Sequence, residues 1–434
     1  MNVKIKKIDH GLSGQLSFPG DKSLSHRAII FGSLAEGESR FTNVLDGEDC
    51  VCTRKAFEAM GVEITSASST ELVVKGRGLH SLKAPKAELY LGNSGTSMRI
   101  LLGVLAGQTF EATLTGDPSL SSRPMHRVTN YLKQMGAMIE GRDNANFAPL
   151  KTRGGKLKGV SVDLAISSAQ VKSAILLAGL YAEGMTSVTE PEKSRDHTER
   201  FLRYFGAKIE EKGLTVSIKG GQKLQAKSFP IAGDISSAAF FMAIALLVPG
   251  SLINFISILN NPTRTGIWDI LAKMGVVDDR KAGESGGPEL TANFSLRSQS
   301  LKAFEIKKEV LPSLIDEIPI LCVMATQAKG KSIIHDADEL RVKETDRIRS
   351  IVSQLSEMGA DIRAEGNTII VNGPTVLHGA EVDSFKDHRT AMSLIVAGMI
   401  AEGETTVKDI ECIQTSFPNF FNLLKKAGAE HKLC

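Results

Sequence analysis

The sequence predicts an α/β protein of two similar domains, each built from three copies of one unit. Two signatures recur six times along the 434 residues and carry this prediction. The first is a polar or small cluster that opens a strongly apolar run and closes on glycine. The second is an amphipathic helix that ends in a hydrophobic or small residue followed by glycine. Both recur at a period of roughly 70 residues, and self-similarity at a fixed period indicates a repeated structural unit.

The first signature predicts the more buried helix of each unit. Its run at Ser237–Val248 is apolar nearly all round, which favours a helix inside a layered domain over one in a linear solenoid. The same run is much shorter than the ~20 residues of a membrane span. The six runs are Ser23–Gly37, Gly95–Gly107, Ser167–Gly184, Asp234–Gly250, Asp316–Gly330 and Asp387–Gly403.

The second signature predicts a helix that ends at a left-handed glycine. Five of the six glycines are followed within three residues by Val or Ile, which indicates that a strand begins there. Each unit therefore contains two helices and several short strands. The six glycines are Gly61, Gly136, Gly206, Gly275, Gly359 and Gly428.

The domain boundary is predicted between the third and fourth units, near Phe229–Gly233. Residues 20–229 then form one domain, and residues 1–19 with 230–434 form the other. The strand Val3–Ile8 precedes the first unit, and we expect it to complete a sheet of the second domain. Two chain crossings follow, near Pro19–Gly20 and near Pro230, and we expect them to serve as a hinge.

Composition excludes several classes of protein. The net charge is only +3 and no long basic run occurs, so nucleic acid is not an expected partner. The five cysteines are scattered, which favours reduced thiols over a disulfide framework. Residues 1–10 lack the apolar core of a secretory signal. We therefore expect a cytoplasmic monomer that acts on small molecules, with no membrane partner.

Polar side chains at the start of the six apolar helices predict a binding site for anions. A helix N-terminus has unpaired N–H groups and partial positive charge, which favour phosphates and carboxylates. Alone, each cluster is more typical of helix capping; their recurrence at equivalent positions favours a shared site. The clusters contain Lys22, Ser23 and Arg27; Asn93, Gly95 and Thr96; Ser167, Ser168, Gln170 and Lys172; Asp234; Asp316; and Asp387, His388 and Arg389.

A second charged cluster, Leu340–Arg347, is predicted to open a helix over Thr345–Met358. Its cations oppose the usual preference for acids at a helix start, so a bound anion is expected to compensate them. Other phosphate motifs do not fit. The glycine spacing before Lys22 is wrong for a P-loop, no complete dinucleotide fingerprint follows a strand, and the histidines are too dispersed for zinc.

Several of these segments resemble the motifs of the 5-enolpyruvylshikimate-3-phosphate synthase family. They occur in the family's order and span nearly the whole chain. The family's fold, two domains of three βαβαββ units in an inverse α/β barrel arrangement, agrees with the repeats. The segments are Pro19–Arg27, Leu91–Arg99, Ser121–Met125, Ile315–Pro319, Arg341–Arg347, Asp387–Arg389 and Thr415–Pro418.

The resemblance implies transfer of the enolpyruvyl group of phosphoenolpyruvate to the 5-hydroxyl of shikimate 3-phosphate in aromatic amino acid biosynthesis. It implies that shikimate 3-phosphate is held by Lys22, Ser23, Arg27, Ser167, Ser168, Gln170, Ser194, Asp316 and Lys343. It implies that phosphoenolpyruvate is held by Lys22, Gly95, Arg123, Gln170, Arg347 and Arg389. The domain of residues 20–229 would mainly bind shikimate 3-phosphate, and the other would carry the acid–base residues and part of the phosphoenolpyruvate site.

The resemblance also implies a central acid–base pair, Asp316 and Glu344. Addition and elimination require proton transfers at a hydroxyl and at a vinyl carbon, and two carboxylates in different environments can divide them. We expect Asp316 near the 5-hydroxyl, Glu344 near the methyl carbon, and Lys22 supporting the departing phosphate. No metal or organic cofactor is expected, because the cations neutralise the substrates. We expect Lys22 and Arg27 to meet substrate only when the domains close.

One position departs from the family pattern. Many members have lysine just before the Ser-Phe-Pro motif, where this chain has Thr415. One positive contact to phosphoenolpyruvate is therefore missing or supplied elsewhere, as in a divergent branch whose members often tolerate glyphosate. Gly95, however, is retained, and alanine there would narrow the pocket, so the two features point in opposite directions for sensitivity to glyphosate.

Three other functions agree less well with the sequence. The sister enzyme that acts on UDP-N-acetylglucosamine relies on a loop cysteine in the first third of its chain, and no cysteine lies between Cys52 and Cys322 here. A non-catalytic protein that binds phosphometabolites is disfavoured by the presence of both Asp316 and Glu344. An RNA-end-processing enzyme is disfavoured by the near-neutral charge.

Overall fold

The computed structural model describes residues 1–283 and 286–434. The chain divides into two compact units. Unit A consists of Gly20–Ile231 and Gly286–Glu289, and unit B consists of Met1–Pro19, Ala232–Ser285 and Leu290–Cys434. The short segment Gly286–Glu289 was not predicted to group with unit A.

The chain begins with two strands of unit B, β1 (Val3–Lys6) and β2 (Ser13–Ser17), and then enters unit A. The first repeat contains α1 (Lys22–Leu34), β3 (Glu36–Thr42), α2 (Glu48–Ala59), β4 (Glu63–Ser68) and β5 (Glu71–Arg77). The second contains β6 (Leu89–Tyr90), α3 (Gly95–Ala106), β7 (Glu111–Thr115), α4 (Pro118–Ser121), α5 (His126–Gln134), β8 (Met138–Gly141), α6 (Arg142–Ala145) and β9 (Phe147–Arg153). The third contains β10 (Ser161–Asp163), α7 (Ala169–Gly179), β11 (Met185–Thr189), α8 (His197–Tyr204), β12 (Ile209–Lys212) and β13 (Thr215–Lys219), followed by β14 (Phe229–Pro230).

Unit B continues with the other three repeats. The fourth contains α9 (Ile235–Leu247), β15 (Leu252–Leu259), α10 (Ile267–Lys273), β16 (Lys281–Ala282) and β17 (Thr291–Arg297). The fifth contains β18 (Glu305–Ile306), α11 (Ile318–Gln327), β19 (Gly330–Ile334), α12 (Arg347–Glu357), β20 (Asp361–Glu365) and β21 (Thr368–Gly373), with 3₁₀ segments at Lys308–Ser313, Ile315–Glu317 and Asp338–Val342. The sixth contains β22 (Glu381–Asp383), α13 (His388–Ile400), β23 (Glu404–Lys408), a 3₁₀ segment at Ile410–Thr415, α14 (Phe420–Ala427) and β24 (Lys432–Leu433).

Each repeat forms one four-stranded sheet, and all six sheets have the same topology. In the second repeat the order is β6-β7-β9-β8, in which β6 and β7 are parallel and the other two pairs are antiparallel. The chain order within the repeat is therefore β-α-β-α-β-β. This confirms the predicted α/β class with three such units in each half of the sequence.

Three of the sheets recruit a strand from a distant part of the chain. β14 pairs in parallel with β3 and serves as the first strand of the first repeat. β2 pairs in parallel with β15 and does the same for the fourth repeat. β1 pairs with β23 and β24 and completes the sixth sheet. The role of β1 was expected from the sequence, whereas the strand β2 was not.

The first helix of each repeat is the buried one. In α9, every residue from Ile235 to Leu246 is buried, as its uniformly apolar sequence predicts. In unit B, α9, α11 and α13 pack against one another, and in unit A α3 packs against both α1 and α7. Among the helices that the structure describes, none is long and apolar enough to cross a membrane.

The second helix of each repeat ends as predicted. All six glycines of the second signature have a positive φ, between 88° at Gly61 and 103° at Gly136. The left-handed conformation carries no Cβ penalty for glycine, so the chain can leave the helix and enter the next strand within a few residues.

One helix begins later than the sequence predicts. The helix expected over Thr345–Met358 is α12, which starts at Arg347 and is capped by Asp346, whose carboxylate accepts the Arg349 N–H at 3.1 Å. The preceding residues include a 3₁₀ segment that ends at Val342. The cap explains the shift, because an aspartate side chain that bonds to the first free N–H groups fixes the helix start.

The close contact between α3 and α7 gives a first prediction. A Cβ atom added at Gly103 would lie 2.2 Å from the Ala174 carbonyl oxygen of α7. Alanine normally stabilises a helix interior relative to glycine, but this overlap with backbone cannot be relieved by a side-chain rotation. We expect Gly103→Ala to lower the free energy of unfolding by about 1–3 kcal/mol.

Urea unfolding measures this effect, and Gly155→Ala is the matched control. A Cβ at Gly155 would meet nothing within 4 Å, so that variant should stay within about 0.5 kcal/mol of wild type. Equal stability of the two variants would contradict the proposed packing of α3 on α7.

Candidate active site

The start of α1 in unit A carries the first of the predicted site residues. Asp21 caps the helix, and its carboxylate accepts the Leu24 N–H at 2.9 Å. The Lys22 ammonium forms an ion pair with the carboxylate of Asp49, which is buried in the first turn of α2. Lys22 is thus held at a partly exposed position by an acid that sequence reasoning did not single out.

Arg27 is almost fully buried one turn further along α1. Its Nε donates to Thr198 Oγ1 at 2.8 Å, its Nη2 to Ser173 Oγ at 2.9 Å, and its Nη1 to the Ser23 carbonyl at 3.0 Å. Burial lowers the pKa of Arg27 to about 10, against the attraction of nearby acids. These bonds connect the N-terminal halves of α1, α7 and α8 through one cation.

The start of α3 brings together Gly95, Arg123 and Gln170. A Cβ at Gly95 would lie 2.9 Å from Arg99 Nη1 and 3.5 Å from Arg123 Nη1, so two guanidinium groups border this helix N-terminus. Arg99 Nη1 donates to Gln170 Oε1 at 2.7 Å, and Gln170 Nε2 donates to Thr96 Oγ1 at 3.0 Å. The arrangement concentrates positive charge and N–H groups beside Gly95, as an anion site requires.

The serines near the start of α7 have different roles. Ser167 Oγ donates to the Glu192 carbonyl at 2.6 Å and accepts the Glu192 N–H at 2.9 Å, while Ser168 is the N-cap of α7. Ser194 is buried on the facing loop, and its N–H donates to Glu190 Oε2 at 3.3 Å. Within the described residues, the Ser194 hydroxyl has no hydrogen-bond partner, so it is available to a ligand.

Lys172 was also placed among the anion clusters from the sequence, but in unit A it forms buried ion pairs with protein carboxylates. Its Nζ lies 2.5 Å from Glu190 Oε2 and 2.7 Å from Glu199 Oε1, and all three side chains are buried. Burial acts to lower the pKa of Lys172, but the two carboxylates outweigh it and raise that pKa. Lys172 therefore orders the loop that carries Ser194 rather than facing a ligand.

A buried chain of hydrogen bonds links α1 to α3. His26 Nδ1 lies 2.8 Å from Thr53 Oγ1, Thr53 Oγ1 lies 2.6 Å from Ser97 Oγ, and Ser97 Oγ donates to Ser94 Oγ at 2.6 Å. Ser94 caps α3. The chain thus fixes the start of α3, next to Gly95, relative to the start of α1.

In unit B, three aspartates stand at equivalent positions before α9, α11 and α13, but they differ in function. Asp234 and Asp387 cap their helices by accepting N–H groups at 2.8 Å. Asp316 lies in a 3₁₀ turn before α11, a helix that no side chain caps. Its carboxylate is therefore not consumed by the helix start and faces arginine side chains instead.

Three arginines surround Asp316. Its Oδ1 lies 3.4 Å from Arg347 Nη1 and 3.6 Å from Arg389 Nε, and its Oδ2 lies 4.0 Å from Arg264 Nη2. Arg389 Nη1 also donates to the Asp316 carbonyl at 3.1 Å. Both oxygens of the Asp316 carboxylate therefore face guanidinium groups.

Arg347 connects the two predicted acid–base residues. It is buried and donates from Nη2 to Glu344 Oε2 at 2.5 Å and from Nε to Asp387 Oδ2 at 2.8 Å, in addition to its contact with Asp316. The cations at this helix start were expected to need a bound anion. Carboxylates of the protein compensate Arg347, and Arg341 is likewise paired with Asp346 at 2.7 Å.

Lys343 lies beside this group. Burial lowers the pKa of Lys343 from its ordinary value; Asp316 acts in the opposite direction, and Arg347 lowers it further. A bound phosphate or carboxylate stabilises the positive charge of a poorly solvated lysine more than that of an exposed lysine.

Comparison with known proteins identifies the family. A family model described as "EPSP synthase (3-phosphoshikimate 1-carboxyvinyltransferase)" matches residues 6–424. The chain belongs to this family. It is 48% identical over 422 residues to a 3-phosphoshikimate 1-carboxyvinyltransferase of Bacillus cereus, covering 97% of this chain and 98% of the relative. A Bacillus thuringiensis protein of the same name gives the same identity and coverage.

Solved structures agree with this membership. An EPSP synthase from Acinetobacter baumannii superposes with a TM-score of 0.90 at 42% identity, covering 99% of both chains. A second structure of EPSP synthase from this organism has a TM-score of 0.90 at 41% identity, covering 100% of both chains. The predicted resemblance is confirmed, and the comparisons favour it over the rival that acts on UDP-N-acetylglucosamine.

The EPSP synthase fold brings the predicted site residues into two groups, one within each unit. Sequence reasoning did not single out Asp49 at Lys22, Arg99 at Gln170 or Arg264 near Asp316, and it grouped Asp387 with a helix-start cluster without predicting its bond to Arg347. These residues stand far from their partners in sequence, so no local pattern indicates them. Thr415, the position noted in the sequence as a departure from the family pattern, donates its hydroxyl to the Cys412 carbonyl at 2.7 Å.

One group of side chains in unit A has ligand types suited to a metal ion. It consists of Asp196, His197 and Glu289, all buried. Arg200 Nε lies 2.9 Å from Asp196 Oδ1 and 3.6 Å from Glu289 Oε2, so both carboxylates are already paired with a guanidinium. The arrangement fits an ion-pair network rather than a metal centre.

The buried His26 gives a prediction for pH dependence. Burial lowers the pKa of His26 well below its ordinary value, and Lys22 and Arg27 add to this effect. The folded protein keeps His26 neutral, whereas the unfolded chain binds a proton below about pH 6.5. Its contribution to stability is therefore complete above that pH and is lost on acidification, by about 2 kcal/mol at pH 5.

We expect His26→Asn to remove this loss. Urea unfolding between pH 7.5 and 5 should show that the free energy of unfolding of wild type falls by about 2 kcal/mol more than that of the variant. Parallel curves for the two proteins would contradict a neutral, buried His26.

Proposed function

We propose that the protein transfers the enolpyruvyl group of phosphoenolpyruvate to the 5-hydroxyl of shikimate 3-phosphate and releases phosphate. The observation that carries this proposal is the position of Arg347, which contacts the carboxylates of both Asp316 and Glu344. Two carboxylates held on one buried cation, in different surroundings, suit a reaction with two separate proton transfers.

The reaction proceeds by addition and elimination. Asp316 accepts the proton of the 5-hydroxyl while the hydroxyl oxygen bonds to C2 of phosphoenolpyruvate. Glu344 donates a proton to C3, which becomes a methyl group. Glu344 then removes a proton from that methyl group, the bond from C2 to the phosphate oxygen breaks, and phosphate leaves with support from Lys22. Glu344 ends the cycle with the proton that it first donated. Asp316 has gained the proton of the hydroxyl and passes it to solvent or to the released phosphate.

The groups of unit A are proposed to bind the anionic parts of the substrates. Shikimate 3-phosphate is assigned to Lys22, Ser23, Arg27, Ser167, Ser168, Gln170 and Ser194, with Asp316 and Lys343 of unit B. The buried Ser194 hydroxyl without a protein partner supports this assignment. For Ser167 and Arg27 the side chains also have structural hydrogen bonds, so a ligand must share these groups or use their remaining donor and acceptor capacity.

Phosphoenolpyruvate is assigned to Lys22, Gly95, Arg123, Gln170, Arg347 and Arg389. The guanidinium groups beside Gly95 and the N-terminus of the twelve-residue helix α3 support an anion there. No replacement for the family's lysine is assigned at Thr415, because its hydroxyl is bonded within its own turn. All five cysteines are free, which fits a reducing compartment, and we propose that the enzyme acts in the cytoplasm.

The decisive test is phosphate release by the wild-type enzyme. We expect release only when phosphoenolpyruvate and shikimate 3-phosphate are both present, and Asp316→Asn and Glu344→Gln should each lower kcat by about 10²- to 10⁴-fold. Calorimetry should still detect binding of shikimate 3-phosphate to both variants. The control Glu357→Gln, at an exposed carboxylate near the end of α12, should retain full activity.

Turnover with UDP-N-acetylglucosamine but not with shikimate 3-phosphate would overturn the proposed function. Full activity of Asp316→Asn or Glu344→Gln would instead show that the acid–base pair is wrongly assigned.

The space beside Gly95 gives a further prediction. The alanine Cβ in Gly95→Ala would lie 2.9 Å from Arg99 Nη1, so the end of that side chain must shift and the space beside the helix start becomes narrower. We expect the KM for phosphoenolpyruvate to rise by about tenfold, equivalent to 1.4 kcal/mol, and the KM for shikimate 3-phosphate to change little.

The same substitution should weaken inhibition by glyphosate, an analogue of phosphoenolpyruvate. Steady-state kinetics with each substrate varied in turn measure both effects, with Gly155→Ala as the control. An unchanged KM for phosphoenolpyruvate would show that this ligand does not occupy the space beside Gly95.

A further inference from the structure

Arg264 is a buried cation close to the candidate acid–base centre, and the reaction proposed above does not use it. It is 3% exposed and lies in the turn between β15 and α10 of unit B. Asn261 fixes that turn: its side-chain oxygen accepts both the N–H and the hydroxyl of Thr263 at 2.8 Å, and its carbonyl accepts the Arg264 N–H at 2.8 Å. The guanidinium therefore extends from a well-held backbone.

The Arg264 guanidinium contacts the starts of two helices. Its Nη1 donates to both carboxylate oxygens of Glu317, at 3.1 and 3.3 Å, immediately before α11. Its Nη2 donates to the Ser236 hydroxyl at the start of α9 and lies 3.7 Å from Asp234 Oδ1. The same Nη2 lies 4.0 Å from Asp316 Oδ2.

Asp316 and Glu317 are consecutive acids, and only one of them can serve the proposed reaction. Glu317 is 1% exposed and has no access to water that would stabilise its charge. Without Arg264, the two carboxylates and that of Asp234 would repel one another in a buried volume, and a proton would be retained among them. A proton held in this way would occupy Asp316 for part of the time and reduce its capacity as a base.

We propose that Arg264 is a positioning residue for Asp316. Arg264 neutralises Glu317 in a buried ion pair, so Asp316 is left as the one carboxylate of this turn that exchanges protons. Arg264 also orients the turn, because it fastens Glu317 to the start of α9. The inference rests on the proposed function, in which Asp316 accepts the proton of the substrate hydroxyl.

Other charged groups in unit B also face Asp316. Arg347 of α12 and Arg389 of α13 contact its Oδ1, and Lys343 interacts with it electrostatically. Arg347 is shared with Glu344 and Asp387, as described above. Arg264 differs from these cations because Glu317, and not a residue assigned to substrate, is its principal partner.

The experiment uses two substitutions that remove opposite charges. Arg264→Gln leaves Glu317 uncompensated beside Asp316, so the titration midpoint of Asp316 should rise by about one pH unit. Glu317→Gln frees Arg264 to interact with Asp316, so the midpoint should fall by about half a unit. A purely structural defect would not move the midpoint in opposite directions in the two variants.

The midpoint is measured in two ways. Carbon-13 NMR of protein labelled in the aspartate carboxyl groups follows Asp316 directly, and its signal is assigned by its loss in Asp316→Asn. The acidic limb of the pH profile of kcat/KM should shift in the same direction as the NMR midpoint. Arg280→Gln is the control: this arginine pairs with Asp278 at 2.6 Å in the same unit, and its loss should change neither measurement.

The double variant Arg264→Gln/Glu317→Gln leaves neither charge of the pair buried alone, so it should fold even where a single variant does not. We expect its midpoint to lie between those of the single variants, close to that of wild type, and its kcat to exceed that of Arg264→Gln, because neither variant charge is left beside Asp316. A midpoint in the double variant as high as in Arg264→Gln, or shifts of the same sign in both single variants, would overturn the inference.

The two proposals fail in distinguishable ways. If the wild-type enzyme does not convert the two substrates, the proposed function fails, while the NMR midpoints still test the role of Arg264. If the wild type is active but the midpoints of the single variants equal that of wild type, only the inference about Arg264 fails.

Discussion

The packing of three apolar helices within each unit is the constraint on which the rest of the structure depends. Each βαβαββ repeat has one helix that is buried nearly all round, because it packs on the strands of its own repeat and also against counterpart helices of other repeats. Their N-terminal halves come close together, as the bonds from Arg27 to Ser173 and from Ser236 to Glu317 show. Polar side chains from distant repeats therefore meet at the helix N-termini, where backbone N–H groups carry partial positive charge.

Equivalent positions in the repeats have diverged in chemistry while the backbone has stayed the same. Asp234 and Asp387 cap their helices, whereas Asp316, at the corresponding position, is released from capping by a 3₁₀ turn and faces arginines. Two nearby acids are paired with their own cations: Arg264 donates to Glu317, and Arg347 donates to Asp387. Such a network is costly to break, because removing one partner leaves another charge buried without compensation.

The sequence predicted the repeat and its helices well, because both depend on local patterns. The apolar run that follows Asp234 indicates a buried helix, and Gly359 indicates the end of another helix. Neither inference requires knowledge of the elements that pack against these helices. The predicted start of α12 was two residues early. The charged run is continuous along the sequence and does not show that Asp346 caps the helix, which therefore begins at Arg347. The strand β2 was missed, because Ser13–Ser17 is short and polar and becomes a strand only by pairing with β15, more than 200 residues away.

By itself, the sequence determined the class of fold, the family and the set of candidate site residues, since these are encoded in periodicity and in contiguous motifs. Tertiary structure alone decided which charges neutralise one another: Lys22 with Asp49, Arg347 with Asp387, and Arg264 with Glu317. It also decided that Lys172 orders a loop, although it lies in a motif with Gln170. The physical reason is that the effect of a charge depends on distance and burial, which are set by packing between repeats and not by neighbours along the chain.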